Sequence, residues 1–425
     1  MARKVFLSLL GTGQYKSCRY EKDGFKSSET KFIQQALLEF LQQKCGWTSS
    51  DQAIVFLTGR AETTHWTPDG TADKGLKQIL EEMGVSYEGV RIEDGKDTEQ
   101  MWSIFETIFS QLQEEDELYV DITHSFRYLP MLMVVLINYA KLLKKVTVAG
   151  IYYGNYEAKD PKSDIAPVMD LLPLSSLQDW TSAASDYLQY GHIGKLKELT
   201  DAELIPVLKD PATRNNDAIA LRSFIGTLKN VTDERVTCRG LNIIENERMR
   251  ILNDKVNTIE EVTIPQLKPV FEKIKQSMDN FGYQSNVSNC IKVAKWCQDN
   301  QLYQQAITML EEGLISLFCE GCKVCKLDYN IEKDRNIVNM CVFIASRDLP
   351  ESEWKEKDPD TIDKIRRIIN DSDSHLDIYS SILSQVSGLR NDYNHAGFNS
   401  KPAQADDIIK KIEKYLSSVE AMLKQ

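Results

Sequence analysis

KVFLSLLGTGQY, residues 4–15, decides how the first half of this chain is read. Lys4 to Leu10 is a short apolar run, and Gly11-Thr12-Gly13 ends it, the pattern of a buried strand that enters a tight loop. Thr30 to Lys44 then sets Phe32, Ile33, Ala36, Leu37, Phe40 and Leu41 at helical spacing. The same alternation recurs, with strands at Ala53–Leu57, Val85–Ile92, Leu118–Ile122 and Val146–Tyr153. Helices at Gly75–Met83, Thr98–Leu112 and Leu129–Leu143 fall between them. Strands that alternate with helices require crossover connections, hence a mostly parallel sheet covered on both faces. Residues 1–175 are therefore expected to form an α/β, Rossmann-like, doubly wound domain.

Beyond Pro173 the strand signal fades. Leu174–Leu199, Asn216–Val231 and Leu241–Met278 read as polar-rich helices, an all-α connector over residues 176–285. From Val287 the apolar periodicity strengthens through Ile291, Ala294, Ala306, Ile307, Leu310 and Leu314 to a last helix at Ile408–Leu423, so residues 286–425 are expected to form a second, all-α domain.

Composition narrows the function classes. At 425 residues the chain exceeds what one core usually organises. The 42% hydrophobic and 27% charged fractions are those of an ordinary soluble protein. No stretch matches a membrane span or a signal peptide, and nine cysteines without paired spacing read as reduced thiols, which together point to the cytoplasm. A net charge of −12 argues against broad coating of nucleic acid, so any such chemistry must sit in local pockets.

Ligands of open α/β sheets settle at the carboxyl ends of the strands, where successive crossovers go to opposite faces. Gly11, Thr12, Gly13, Gln14 and Tyr15 follow the first strand, and Thr123, His124, Ser125, Phe126 and Arg127 follow the strand that ends near Asp121. Glycines let backbone N–H groups approach an anion, and a helix that begins near Ser125 would add its positive end to the Arg127 charge. A nicotinamide-binding dehydrogenase is disfavoured, because the loop lacks a third glycine and the second strand runs into Thr58-Gly59-Arg60 rather than an acidic ribose hook. No Gly-Lys-Ser/Thr phosphate loop is present either.

LLGTGQY and DITHSFRYLP, in that order, resemble the two signature segments of CRISPR-associated Rossmann-fold (CARF) proteins. The resemblance implies a homodimer or higher assembly whose paired pockets bind one ring-shaped cyclic oligoadenylate. Gly11 to Tyr15 and Thr123 to Arg127 would line that pocket; the family often has Gly where this chain has Ser125. Some CARF proteins also cleave the ring slowly.

Near the end, GLRNDYNHAG sets Arg390 and His395 on a helix expected to stop at Gly397. To cut RNA without metal, an enzyme needs a group that moves protons near neutral pH and a fixed cation for the phosphorane charge, roles that suit His and Arg. A five-residue step puts the two side chains about 140° apart on an ideal helix, so one copy makes a poor site and two copies about a symmetry axis make a better one. The segment resembles the motif of HEPN ribonucleases, an Arg, often followed by Asn, and a His with four to six residues between them. The stretch LYQQAITMLEEGLISL (Leu302 to Leu317) resembles an early helix of that domain. The resemblance implies that Arg390, Asn391 and His395 are catalytic and cut single-stranded RNA to 2′,3′-cyclic phosphate and 5′-hydroxyl ends, with no metal or cofactor beyond the cyclic oligoadenylate activator.

The competing reading is a non-catalytic sensor whose helical domain binds RNA or a protein partner, with Arg390 and His395 capping a helix. Cys319, Cys322 and Cys325 stand at CxxCxxC spacing with Cys341 as a conceivable fourth ligand, yet irregular spacing favours packed thiols. His65, His192 and His375 lack ligand-like neighbours and are read as surface or capping residues. The tyrosines at 152, 153 and 156 are read as sheet packing rather than base-stacking groups.

Overall fold

The computed structural model describes residues 2–68, 74–124, 128–256, 265–278 and 281–424. The chain divides into two compact units, Met1–Leu177 and Gln178–Gln425.

In the first unit the described strands are β1 (Lys4–Leu10), β2 (Arg19–Lys22), β3 (Phe25–Lys26), β4 (Gln52–Leu57), β5 (Tyr87–Arg91), β6 (Glu117–Asp121), β7 (Thr147–Gly154) and β8 (Ile165–Asp170). Helices α1 (Ile33–Lys44), α2 (Gly59–Ala61, running into a π turn at Glu62–Trp66), α3 (Leu76–Glu82), α4 (Thr98–Ser110) and α5 (Leu129–Lys144) lie between them. One sheet has the order β3-β2-β8-β7-β6-β1-β4-β5, and every pairing from β7 to β5 is parallel.

Side-chain alternation along the strands explains the two layers. Phe6 and Leu10 of β1, with Ala53, Val55 and Leu57 of β4, face a core shared with α1 and α3. Val5, Leu7 and Leu9, with Ile54 and Phe56, face the opposite core, shared with α4 and α5. Helices on both sides leave no solvent face, which is why these strands are apolar at consecutive positions. Crossovers through α1 and α3 use one face and those through α4 and α5 the other, so the winding reverses between the neighbours β1 and β6, at the topological switch point.

The sequence reading omits β2, β3 and β8. They form one end of the sheet, with β3 as its edge; β2 and β3 are four and two residues long and are joined by a turn at Asp23 and Gly24 with positive φ at both, and β8 carries Pro167. The helix expected to start near Ser125 starts at Leu129, after Tyr128, with Pro130 in its first turn. Ser125, Phe126 and Arg127 lie outside the described residues.

Helix α6 (Leu172–Tyr190) crosses the boundary into the second unit, which is all-helical among the described residues: α7 (Gly194–Lys209), α8 (Asn216–Val236), α9 (Gly240–Glu245), α10 (Glu247–Val256), α11 (Lys268–Gln276), α12 (Asn289–Asp299), α13 (Tyr303–Gly321), α14 (Glu332–Ala345), α15 (Pro359–Asn370), α16 (Leu376–Asn394) and α17 (Ala405–Met422). The long helices read at Leu174–Leu199 and Leu241–Met278 are each interrupted, at Gly191, where φ is +67°, and at Asn246, where φ is +60°. Helix α13 is the hub. It packs on α9, α12, α14, α16 and α17. Opposite it, α16 buries Leu376, Ser380, Leu383, Val386 and Leu389, one stripe at helical spacing.

Candidate functional site

The carboxyl ends of the central strands meet over a cavity of about 270 Å³ lined by Gly11, Thr12, Gly13 and Tyr15 after β1, Thr58 after β4, and Thr123 and His124 after β6. A second cavity of about 250 Å³ adjoins Gln14, Lys16, Lys31, Tyr153 and Tyr156. Tyr15, Thr123 and His124 line both, so these three residues form the wall between them. Gly11 packs closely here: a Cβ on it would lie 3.0 Å from the Tyr15 hydroxyl, which would have to shift by a few tenths of an ångström, and in ordinary contact, at 3.5 Å, with the His124 Cβ.

Three rings stack in this wall. Tyr15 lies between His65, with centroids 4.2 Å apart, and His124, with centroids 4.1 Å apart, both nearly parallel to it. His65 Nε2 sits 2.7 Å from the Gly13 carbonyl oxygen, to which it donates in the Nε2–H tautomer. Burial pushes the His124 imidazole down to about 4, with His65 adding to the shift; burial also lowers His65, against the pull of the Gly13 carbonyl. Both rings are thus neutral near pH 7, and His124 Nε2 is buried without a hydrogen-bond partner among the described residues.

Beneath the wall a buried polar relay fixes the floor. Asp121 is 1% exposed and accepts from Ser8 Oγ at 2.6 Å, from Thr123 N at 3.0 Å and from Thr123 Oγ1 at 2.6 Å. Thr123 Oγ1 in turn accepts from Gly154 N at 2.8 Å, and Gln34 Nε2 on α1 donates to Ser8 Oγ at 3.0 Å. Burial raises the Asp121 carboxyl, while its three donors oppose the shift. The relay joins β1, β6, β7 and α1 under one ligand-sized opening.

The described residues expected here from sequence therefore converge: Gly11 to Tyr15, Thr123 and His124 all line one or both cavities. His65 corrects the sequence reading. Read as a surface or capping residue, it is 8% exposed and belongs to the wall, because the π turn after β4 swings it over the glycine loop. Its place just after a strand at the carboxyl edge was the available signal. Of the three tyrosines, Tyr152 packs in the core, whereas Tyr153 and Tyr156 line the second cavity.

In the second unit, α16 ends at Asn394 and His395 is its C-cap, with Ala396 and Gly397 at positive φ turning the chain away. Arg390 Nε donates to Glu311 Oε2 at 2.5 Å, and Arg390 Nη1 to Asn391 Oδ1 at 3.3 Å. Glu311 belongs to α13 and its side chain is 5% exposed, whereas Asn391 and His395 are exposed. No hydrogen bond among the described residues joins the Arg390 and His395 side chains. Sequence reasoning missed Glu311. The signal was there, since Glu311 falls on the apolar stripe of Ile307, Leu310 and Leu314, and an acid on a buried stripe needs a partner.

Cys319, Cys325 and Cys341 are buried, and burial pushes the Cys319 and Cys341 thiols up to about 11 and about 12. Among the described residues no group of three or more His, Cys, Asp or Glu is arranged to hold a metal ion. No helix among them is long and apolar enough to cross a membrane.

Residues 5–157 match the CARF domain of the CRISPR system endoribonuclease Csx1. The CRISPR-associated protein MJ1674 of Methanocaldococcus jannaschii is 26% identical over 393 residues, which cover 81% of this chain and 57% of that protein. The chain thus spans little more than half the length of that relative. A structure of Enterococcus italicus Csm6 bound to cyclic hexa-2′-fluoro-hexa-dAMP aligns over 99% of this chain and 94% of its own, at 12% identity and a TM-score of 0.44.

Proposed function

We propose that this chain, a CRISPR-associated protein whose first unit is a CARF domain, is a cyclic oligoadenylate-activated, metal-independent endoribonuclease of antiviral defence. The observation that carries the ribonuclease half is the buried Glu311 carboxylate holding Arg390 five residues before the exposed His395. A desolvated acid spent on a guanidinium at a helix end fixes a cation in one orientation, which a mere helix cap does not require.

In this reading the ribose 2′-OH attacks its own phosphorus, the bond from phosphorus to the 5′-oxygen breaks, and a 2′,3′-cyclic phosphate and a 5′-hydroxyl result. A base must take the 2′ proton and an acid must protonate the leaving oxygen, while Arg390 carries the phosphorane charge. Each copy brings one His395, so two copies about a two-fold axis provide both proton carriers. Helix α5 offers a surface for that pairing: Met131, Val135, Leu142 and Leu143 are 73%, 56%, 78% and 51% exposed, an apolar face of the kind that marks a contact.

The pocket suits the activator by its chemistry. Neutral Tyr15 and His124 border both cavities, the glycine loop admits phosphate oxygens to backbone N–H groups, and Lys16 and Lys31 bring positive charge to the second cavity. Activation requires that the ring bind the active arrangement more tightly than the resting one.

The test is cleavage of a fluorescent single-stranded RNA in chelator, with cyclic tri-, tetra- and hexa-adenylate added separately. Cutting that depends on one ring and disappears in His395→Ala is the expected result. A chain that binds a ring but leaves RNA intact would instead be a sensor whose helical unit acts by binding.

A further inference from the structure

Phe398 is 91% exposed, the most exposed of the large hydrophobic side chains among the described residues, and it stands three positions after His395. The loop that presents it is built, not slack. Ala396 and Gly397 both adopt positive φ, Phe398 N donates to the His395 carbonyl oxygen at 3.0 Å, and Gly397 N donates to the Asp392 carbonyl oxygen at 2.9 Å. The Asp392 carboxylate then takes the Asn399 side-chain amide and Ala403 N, the latter at 3.0 Å, while Lys401 N donates to Asn399 Oδ1 at 2.8 Å. A single αL pair, closed by one carboxylate, thus holds a bare aromatic ring in water beside the proposed proton carrier.

Such a ring gains by being covered, and its surroundings indicate by what. The flanking residues Asn394, Asn399, Ser400 and Lys401 are exposed and polar, and the exposed apolar residues among them, Ala396 and Pro402, are small, so the ring is not set in a large apolar patch of the kind a protein partner buries around an anchoring aromatic. A nucleobase needs less: one face for its π system, amides at its edge and a cation for the adjoining phosphate. We propose that Phe398 is a base-stacking platform for single-stranded RNA, which seats one nucleobase next to the phosphodiester that His395 serves. The proposal rests on the ribonuclease reading for its location, but makes its own claim about RNA affinity. The ring stacks on any base, so it positions the strand without selecting its sequence.

The test uses the full chain carrying His395→Ala, which is uncut in the proposed mechanism, and a short fluorescein-labelled single-stranded RNA. Anisotropy should report a loss of about tenfold in affinity on adding Phe398→Ala, the ordinary worth of one stacked base, and recovery with Phe398→Trp. Replacing one nucleoside of the RNA by an abasic ribose should weaken binding to the Phe398 chain and leave the Phe398→Ala chain indifferent. Unchanged affinity on Phe398→Ala overturns the proposal, as does a fall in assembly mass by light scattering that accounts for the loss, because the ring would then serve a chain-to-chain contact. If the His395→Ala chain binds no RNA, the platform is refuted as well. Cleavage by the unsubstituted chain reads the ribonuclease assignment separately, so a chain that cuts RNA equally well with or without Phe398 refutes only the platform.

Discussion

The pocket at the ends of β1 and β6 and the constellation at the end of α16 stand at opposite extremes of burial. In the first, polar groups are withdrawn from water: Asp121 and His65 are buried, His124 is held neutral, and a relay of hydrogen bonds determines where Thr123 sits. In the second, only the anchor is buried; Glu311 lies inside, while Asn391, His395 and Phe398 stand in solvent. A site whose polar groups are fixed by buried hydrogen bonds keeps its shape before a ligand arrives. In the proposed function an exposed half-site on a helix end would gain its chemistry by meeting another copy, an arrangement that a ligand could switch.

The largest test of this contrast is His395→Ala. Loss of the proton carrier should reduce cleavage about a thousandfold, within the usual range for general acid–base catalysis, with no change in cyclic oligoadenylate affinity measured by calorimetry. Equal loss of ligand binding would mean that the two regions are not separable as described.

The second test is pH. Burial, reinforced by His65, holds His124 at about 4 in the folded chain, below the 6.5 of a free imidazole. Between those values the unfolded chain binds a proton that the folded chain refuses, so stability is complete above about pH 6.5 and falls as pH drops toward 4. The full loss is of the order of 3 kcal/mol. Asp121, raised by burial, works in the opposite sense at its own pH, so the informative quantity is the difference between the native chain and His124→Asn. Denaturant midpoints that fall in parallel for the two chains from neutral to acid pH would remove His124 from the account.

Glu311→Ala probes the anchor of the exposed site. Without the carboxylate Arg390 keeps its charge and loses its orientation, and cleavage should fall roughly ten- to hundredfold while RNA affinity changes little. Glu311→Gln, which still accepts from Arg390 Nε, should retain more activity than Ala. Equal activity in all three chains would return Arg390 to the role of a cap.

What the sequence made legible follows the same division. Strands β1, β4, β6 and β7 read clearly, because burial on both faces writes an apolar run that few other structures need. Strands β2, β3 and β8, at one end of the sheet, did not: β2 and β3 are only four and two residues long, and β8 carries Pro167 and leaves Pro167, Met169 and Asp170 exposed, so none writes an apolar run. Gly11 to Tyr15 were picked out because a glycine loop at the carboxyl end of a buried strand lets the backbone approach a ligand, although a Gly-x-Gly turn by itself is often only a tight turn. His65 was not, because its place depends on a π turn that no local pattern announces. Glu311 could have been found by asking why an acid interrupts an apolar stripe.

Thr123→Val is the smallest effect expected and the most exact probe of the enclosed site, because it keeps the shape and deletes only the hydroxyl. That hydroxyl gives a proton to Asp121 Oδ1 and takes one from Gly154 N, so valine leaves a buried backbone N–H on β7 and one lobe of a buried carboxylate with a partner missing. Leaving such groups unsatisfied costs about 1–3 kcal/mol, and two damaged contacts that share one atom should fall within that range rather than double it. Thr123→Ser keeps both bonds and removes a methyl, so it should stay close to the native chain. If the relay holds the wall that Thr123 and His124 form, valine lowers ligand affinity as well as stability, and serine lowers neither appreciably. Stability lost with affinity intact would show that the relay supports the sheet alone, and that the wall is held by the stacked rings of Tyr15, His65 and His124.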